Sequence, residues 1–268
     1  YLDFKDSANL GNDANGGTDL TETNIAATDQ TTDTPTNNFC AINSTFLALS
    51  NTPVLSQGNT HMVHNHASWK TCVGTIAVSS GKWYFEGKGG NSSGHTYFGF
   101  GSVEFFGDGG ASYGVNGEAT KDVSQPSYAS YGSNGNLFYS TTAAVGQEQE
   151  WQQDWDNNDI VGVYLDLDNN LIYIAKNDTL ANSGEGYAVA SGYFYVPLVG
   201  QYNGGTGGAS VNFGNGDFNG TAVSSAVADA NGYGAFEYDP SRGGASDFDS
   251  AAKNFLAICT KNLGSDGG

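Results

Sequence analysis

Apolar and polar residues alternate along this chain in short runs, broken by glycine- and asparagine-rich turns, which is the period of strands rather than helices. The densest stretch is 72–106. Val73, Thr75 and Ile76 lead into a Ser79-Ser80-Gly81 turn. The run Lys82 to Gly87 then puts Trp83 and Phe85 on one face of a strand and Tyr84 and Glu86 on the other. Thr96 to Phe100 follows, its glycine suited to close sheet approach or a bulge. Ile160–Asp166 and Leu171–Asn177 read as paired strands about a turn at Leu167–Asn170. Tyr193 to Val199 is a further strand, in which Pro197 predicts an edge position or a bulge. Ala209 to Gly214 is expected to be the last strand of the sheet, and Leu2 and Phe4 alternating with Asp3 and Lys5 predict a short first one. Asn-Gly pairs include those beginning at Asn15, Asn116, Asn134, Asn203, Asn219 and Asn231, and both residue types tolerate the positive φ of tight turns.

One segment has a helical period. Phe248, Ala251, Ala252, Phe255, Leu256, Cys259 and Leu263 recur at three- and four-residue steps. They predict an amphipathic helix over about 247–263, with Gly264 placed to end it. The resulting organisation is an N-terminal arm with the first strands over 1–60, a β-sandwich over 61–220, and a C-terminal extension with the helix over 221–268.

Composition narrows the function. The 268 residues carry 28 Asp and Glu against 9 Lys and Arg, a net charge of −19, and Arg242 is the single arginine. Nucleic acid is excluded as a partner, because phosphates are bound by basic side chains that displace counterions. A polybasic membrane patch is excluded on the same ground, and no apolar run approaches the ~20 residues of a spanning helix. Cys40, Cys72 and Cys259 are too few for a disulfide framework and read as free thiols of a protein assembled in the cytosol. The chain starts at Tyr1 rather than Met, so a piece of a longer or processed protein is expected.

Catalytic chemistry finds no pattern here. A glycosidase needs two carboxylates across a cleft, and the nearest approach, Glu148 and Glu150, lies in a polar stretch that reads as a solvated loop. No catalytic residue is assigned. His64 and His66 would share a face if they lay in a strand, but an exposed polar edge describes them better than a metal site, and no metal ligand is assigned. Calcium is the one ion considered, through Asp6, Asn12, Asp13 and Asp19 of the early loop.

The ring-rich loops are the candidate binding residues. Tyr128, Tyr131 and Tyr139 lie among Ser, Gly and Asn in 124–139, Trp151 and Trp155 sit beside Asp154, Asp156 and Asn157, and Tyr202 lies in a glycine-rich loop. Sugars stack their C–H faces on rings while Asn and Asp hold their hydroxyls, so these six rings are assigned to a glycan. The competing account places half of them in the core or between subunits.

Motifs in these segments resemble the SPRY family. Ser80-Gly-Lys-Trp-Tyr-Phe-Glu86 looks like its opening signature. Asp159–Asp166 followed by Asn170–Asn177, then Pro197, then Val211-Asn-Phe-Gly214, are similar to its later strands in order and spacing. The resemblance spans about Cys72 to Phe218 and implies an all-β fold, an antiparallel β-sandwich of the SPRY, concanavalin A-like jelly-roll kind, here with a short C-terminal helix. The flanks, Leu2–Asp13, Asp29–Phe39 and Phe255–Leu263, resemble those of SPRY-bearing proteins of marine bacteriophages. That implies a non-enzymatic virion protein, a tail or head fibre or appendage, assembled in the host cytoplasm and exposed on the particle. Its implied partners are other virion proteins, copies of itself with a trimer favoured, and a host surface polysaccharide. The alternatives are a purely structural capsid-decoration or fibre-joint protein and, behind it, a polysaccharide-degrading enzyme.

Overall fold

The computed structural model describes residues 1–4, 6, 8–25, 33–34, 36–45, 52–90, 95–106, 125–144, 146–151, 153–203, 207–242 and 253–266. In chain order the strands are β1 (Val54–Ser56), β2 (His61–Val63), β3 (Trp69–Val73), β4 (Lys82–Gly89), β5 (Thr96–Ser102), β6 (Ser127–Tyr131), β7 (Leu137–Ser140) and β8 (Gln147–Gln149). They continue with β9 (Ile160–Asp166), β10 (Leu171–Lys176), β11 (Thr179–Leu180), β12 (Tyr187–Ala188), β13 (Tyr195–Tyr202), β14 (Ala209–Asn212), β15 (Asp217–Phe218), β16 (Thr221–Ala222) and β17 (Leu256–Ala257). One helix, α1 (Thr260–Asp266), closes the described chain.

Two largely antiparallel sheets face each other. One runs β1-β2-β14-β4-β9-β10-β11, with β12 also on β10 and β17 on β4; the other runs β3-β13-β5-β6-β7-β8. Between them lies an apolar core of Trp83, Phe85, Phe98, Phe100, Val163 and Phe213 among others. The period-2 reading of β4 holds: Trp83 and Phe85 face this core, while Tyr84 joins Tyr164, Phe236 and Phe255 on the opposite face. The β9–β10 hairpin forms in the predicted register, Leu171 opposite Asp166. Its turn is closed by Asp166 accepting from the Asn169 N–H at 3.0 Å and by Asn170 at φ 56°.

The outer face of the larger sheet is covered by the C-terminal extension, held by two buried carboxylates. Glu86 accepts from Tyr84 Oη at 3.0 Å, Asn212 Nδ2 at 2.9 Å, and the backbone N–H of Glu237 and Tyr238 at 3.0 and 2.9 Å. Asp229 accepts from the N–H groups of Asn231, Tyr233 and Ala257 and from Asn262 Nδ2.

The predicted helix over 247–263 is corrected here. Of that span, 253–263 is described, and helix begins only at Thr260, running on through Gly264. Phe255, Ala257 and Cys259 point into the cluster beneath the extension, while Leu256 and Ile258 point into the central core. Five consecutive apolar residues buried on two alternating faces are a strand, and that period of two overrides the weaker period of 3.6. β17 lies parallel to β4 at Trp83 and Tyr84, on the edge that β14, paired with Glu86 to Gly89, leaves open. It follows that β14 is not the last strand of the sheet.

Three further expectations change. Leu2 to Phe4 forms no strand, and Phe4 sits at φ 53° with its ring exposed. Pro197 lies in an interior strand, between β3 and β5. The missing N–H is accommodated by its neighbour: Gly74 N–H donates to Pro197 O at 2.9 Å, 75–77 swings away, and Val78 resumes a reciprocal bridge with Tyr195. Residues 127–140, read as part of a loop, are the β6–β7 hairpin.

Candidate functional site

The outer face of the six-stranded sheet carries a second aromatic group. Alternation along β3, β5, β6 and β13 sends Trp69, Tyr97, Tyr131 and Tyr202 to this face, and register brings them together: Tyr202 lies opposite Trp69, and Tyr97 opposite both Tyr131 and Gly200. Gly200 is required there, since a Cβ would sit 1.9 Å from Cζ of the Tyr97 ring that crosses it. Trp69 is the hub. Its ring centroid is 5.3 Å from Tyr97, 5.6 Å from Tyr131 in an edge-on contact, and 5.6 Å from Tyr202. His95, just before β5, lies nearly parallel to Tyr131 at 6.4 Å and edge-on to Tyr202 at 5.6 Å.

Burial divides this group into floor and surface. Trp69, Tyr97 and Phe138 are buried, and the Tyr97 hydroxyl bonds that of Thr71. Tyr131, Tyr202 and His95 are partly exposed above them. Backbone bonds lock their positions: Tyr202 N–H to His95 O at 3.0 Å, Tyr131 N–H to Asn136 O at 3.0 Å, and Gly132 N–H to Thr96 O at 3.0 Å. The result is a rigid platform of three partly exposed rings on an aromatic floor, at one end of the sheet. Glu148, a candidate carboxylate, is tied to the adjoining β6–β7 turn by the side-chain amides of Asn134 and Asn136.

Of the six rings assigned from sequence, the structure brings only Tyr131 and Tyr202 together at this platform. Tyr128 and Tyr139 occupy inward positions of their strands. Tyr128 is buried, its hydroxyl accepting from Ala190 N–H at 3.0 Å, and Tyr139 packs 4.9 Å from Tyr187. Trp155 is buried and stacked on Phe98 at 5.3 Å, donating to Ser130 Oγ at 3.1 Å. Trp151 is buried edge-on to Tyr187 at 6.3 Å. Tyr128, Trp151 and Trp155 therefore belong to the sandwich interior rather than to a solvent-facing ring surface, because a strand period or a crossing segment turns them inward. Sequence reasoning missed Trp69 and His95. The alternation Trp69, Thr71, Val73 carries the signal for Trp69; His95 has none.

The polar candidates are placed as follows. β2 ends at Val63, so no strand aligns His64 with His66. His64 is buried with Nε2 2.8 Å from Ser68 O, while His66 is exposed, their ring centroids 5.6 Å apart. In the early loop Asp6 accepts from Ala8 N–H, and Asp19 accepts from Asp13 N–H and Asn9 Nδ2, bonds that hold Asp19 below the usual carboxylate range. Among the described residues no three His, Cys, Asp or Glu side chains gather as a metal site would require. The three cysteines are free and buried.

No family model matches the chain, and no curated protein matches it. Solved structures similar to it include the SPRY domain of human HERC1, at 17% identity and TM-score 0.43, covering 59% of this chain and 91% of that one. The PSpry domain of TRIM65 is similar at 10% identity and TM-score 0.45, over 65% of this chain and 90% of that one. A human SPRY domain is similar at 12% identity and TM-score 0.39, over 59% and 93%.

Proposed function

We propose that this β-sandwich is a non-enzymatic binding module whose platform of Tyr131, Tyr202 and His95 recognises a host surface glycan. One observation carries the reading: two partly exposed rings, Tyr131 and Tyr202, are set by strand register over buried Trp69 and Tyr97, with the His95 ring packed against both. Rings held in place before binding lose little freedom on contact, and their faces suit the C–H surfaces of sugars. Affinity at one such surface is weak, and multivalent display makes it strong. Display on a bacteriophage appendage, as a homotrimer assembled with other virion proteins, rests on the resemblance of the flanking segments and is part of the proposal.

The test is binding to a panel of bacterial surface polysaccharides, with and without calcium. Ring contacts of this kind contribute about 0.5–1.5 kcal/mol each, so Tyr131→Ala and Tyr202→Ala should each weaken binding roughly 2- to 12-fold with the fold intact. Full-strength binding by the double variant would remove the platform. Release of reducing ends would restore the enzyme reading.

A second reading, a structural protein that docks on other virion proteins, is favoured by the arm. Seven large hydrophobic side chains are exposed among the described residues, and four of them, Tyr1, Phe4, Leu20 and Ile25, lie in the first 25. Under that reading, replacing these four by Ser abolishes incorporation into particles, while the platform variants do not.

A further inference from the structure

Away from the platform, an open cleft of about 540 Å³ lies between the segment leaving β8 and the turn after β11, lined by Gln149, Glu150, Trp151, Gln153, Asn182 and Ser183 among others. Two of its groups lack partners. Trp151 is only 4% exposed, and its indole N–H makes no hydrogen bond among the described residues. Gln153 is held by its Nε2, which donates to Thr179 O at 3.1 Å, while its Oε1 is enclosed and unpartnered. Enclosed polar atoms in native proteins are nearly always paired, so Gln153 Oε1 calls for a ligand or ordered water, while the Trp151 N–H keeps solvent contact.

The rim is built, not slack. Asn182 and Ser183 both stand in the left-handed region, at φ 52° and 55°, where non-glycine residues are uncommon. Gly184 N–H to Ala181 O and Glu185 N–H to Asn182 O, both at 3.0 Å, hold the turn, and both rim side chains remain exposed.

Chemistry selects the ligand. No Lys or Arg is among the lining residues and Glu150 is, so an anion is disfavoured, and one exposed carboxylate makes no cation site. A hydroxyl both gives and accepts a hydrogen bond, so saccharide hydroxyls suit the Gln153 carbonyl as donors and the Trp151 N–H as acceptors. Leu180 and Ala181 add apolar wall for C–H groups. We propose that this cleft is a second sugar site, taking the end of a neutral saccharide chain. It shares its ligand class with the platform but none of its residues, so the two can fail separately.

The experiment is a titration of the full 15N-labelled chain with glucose, galactose, mannose and N-acetylglucosamine, with glycerol as control, followed at the Trp151 indole, the amides of 180–183 and the rings of Tyr131, Tyr202 and His95. A saturable shift at Trp151 and 180–183 with at least one sugar, at a Kd on the order of 1 mM, is expected. Trp151→Phe and Gln153→Met should each weaken it roughly 2- to 12-fold. Should Gln153→Met unfold, Ser183→Gly, which relieves the backbone and removes one hydroxyl, serves as the second variant. No shift at the cleft with any of the four sugars overturns the site, as does an equal shift with glycerol. A response confined to Tyr131, Tyr202 and His95 overturns the cleft and leaves the platform standing. A response confined to the cleft does the reverse.

Discussion

Single buried residues here have measurable consequences. Glu86 is wholly enclosed, and burial pushes its carboxyl up to about 7 from 4.5 even though Tyr84, Asn212 and two backbone N–H groups donate to it. Because the folded value lies above the unfolded one, its contribution is fully present below pH 4.5 and is lost as pH rises through 7. The whole effect is on the order of 3 kcal/mol at most. Urea unfolding at a series of pH values should show stability falling across that window, and Glu86→Gln should remove this part of the slope. A slope unchanged in the variant would show that the carboxyl is ionised throughout. Burial likewise pushes Cys40 to about 11 and Cys72 to about 12. Both should therefore resist alkylation in the native protein and react on denaturation, which intact mass spectrometry reads directly.

At the scale of elements, the C-terminal strand depends on contacts far from it in sequence. Asp229 alone gathers four donors from three segments, including the Ala257 N–H of β17. Asp229→Ala leaves these groups enclosed and unpaired, at a cost of roughly 1–3 kcal/mol for each one that stays buried. The amides of β17 should then exchange with deuterium much faster than those of β9 and β10. Equal protection of all three would sink this account. On the platform, Gly200→Ala drives a methyl into the Tyr97 ring, so roughly 1–3 kcal/mol of stability should be lost together with the ordering of Tyr131 and Trp69. The strands around these features were legible in the sequence where a long run of β-branched and aromatic residues is bounded by turn residues: β4, β9 and β10 sit where those runs put them. β17 was not, because its apolar run is only five residues and merges with apolar positions on either side that recur at helical steps. Pro197 was misplaced because only the path of the neighbouring segment decides whether a missing N–H has an otherwise unmet partner.

For the whole molecule, residues 38–40 meet the C-terminal segment 258–260. Cys40 N–H donates to Ile258 O at 2.8 Å, Phe39 bridges Cys259, and Thr260 N–H donates to Asn38 O at 3.0 Å. Deleting residues 253–268 removes β17 from the edge of β4 and the Phe255 ring from its contact with Tyr164, 5.1 Å away. Such a truncation should bind the dye ANS and aggregate, and a soluble, ANS-silent product would contradict this view of the extension. Pairings this distant in sequence also predict slow folding, as in other sandwiches.

By itself the sequence determined the class of the fold, the central hairpin and the net negative charge, because these follow from local period, turn chemistry and composition. The candidate binding residues divide differently. Six rings were visible, but whether a ring meets solvent depends on which face of which sheet it takes and on what packs there. Tyr131 and Tyr202 come together only because register lays β6 and β13 on either side of β5, where the ring of Trp69, 62 residues before Tyr131, packs against both. Tyr128, three residues away from Tyr131 and one strand face across, is core. Pairing of strands distant in sequence, which leaves no local mark on composition or period, is what only the tertiary structure decided.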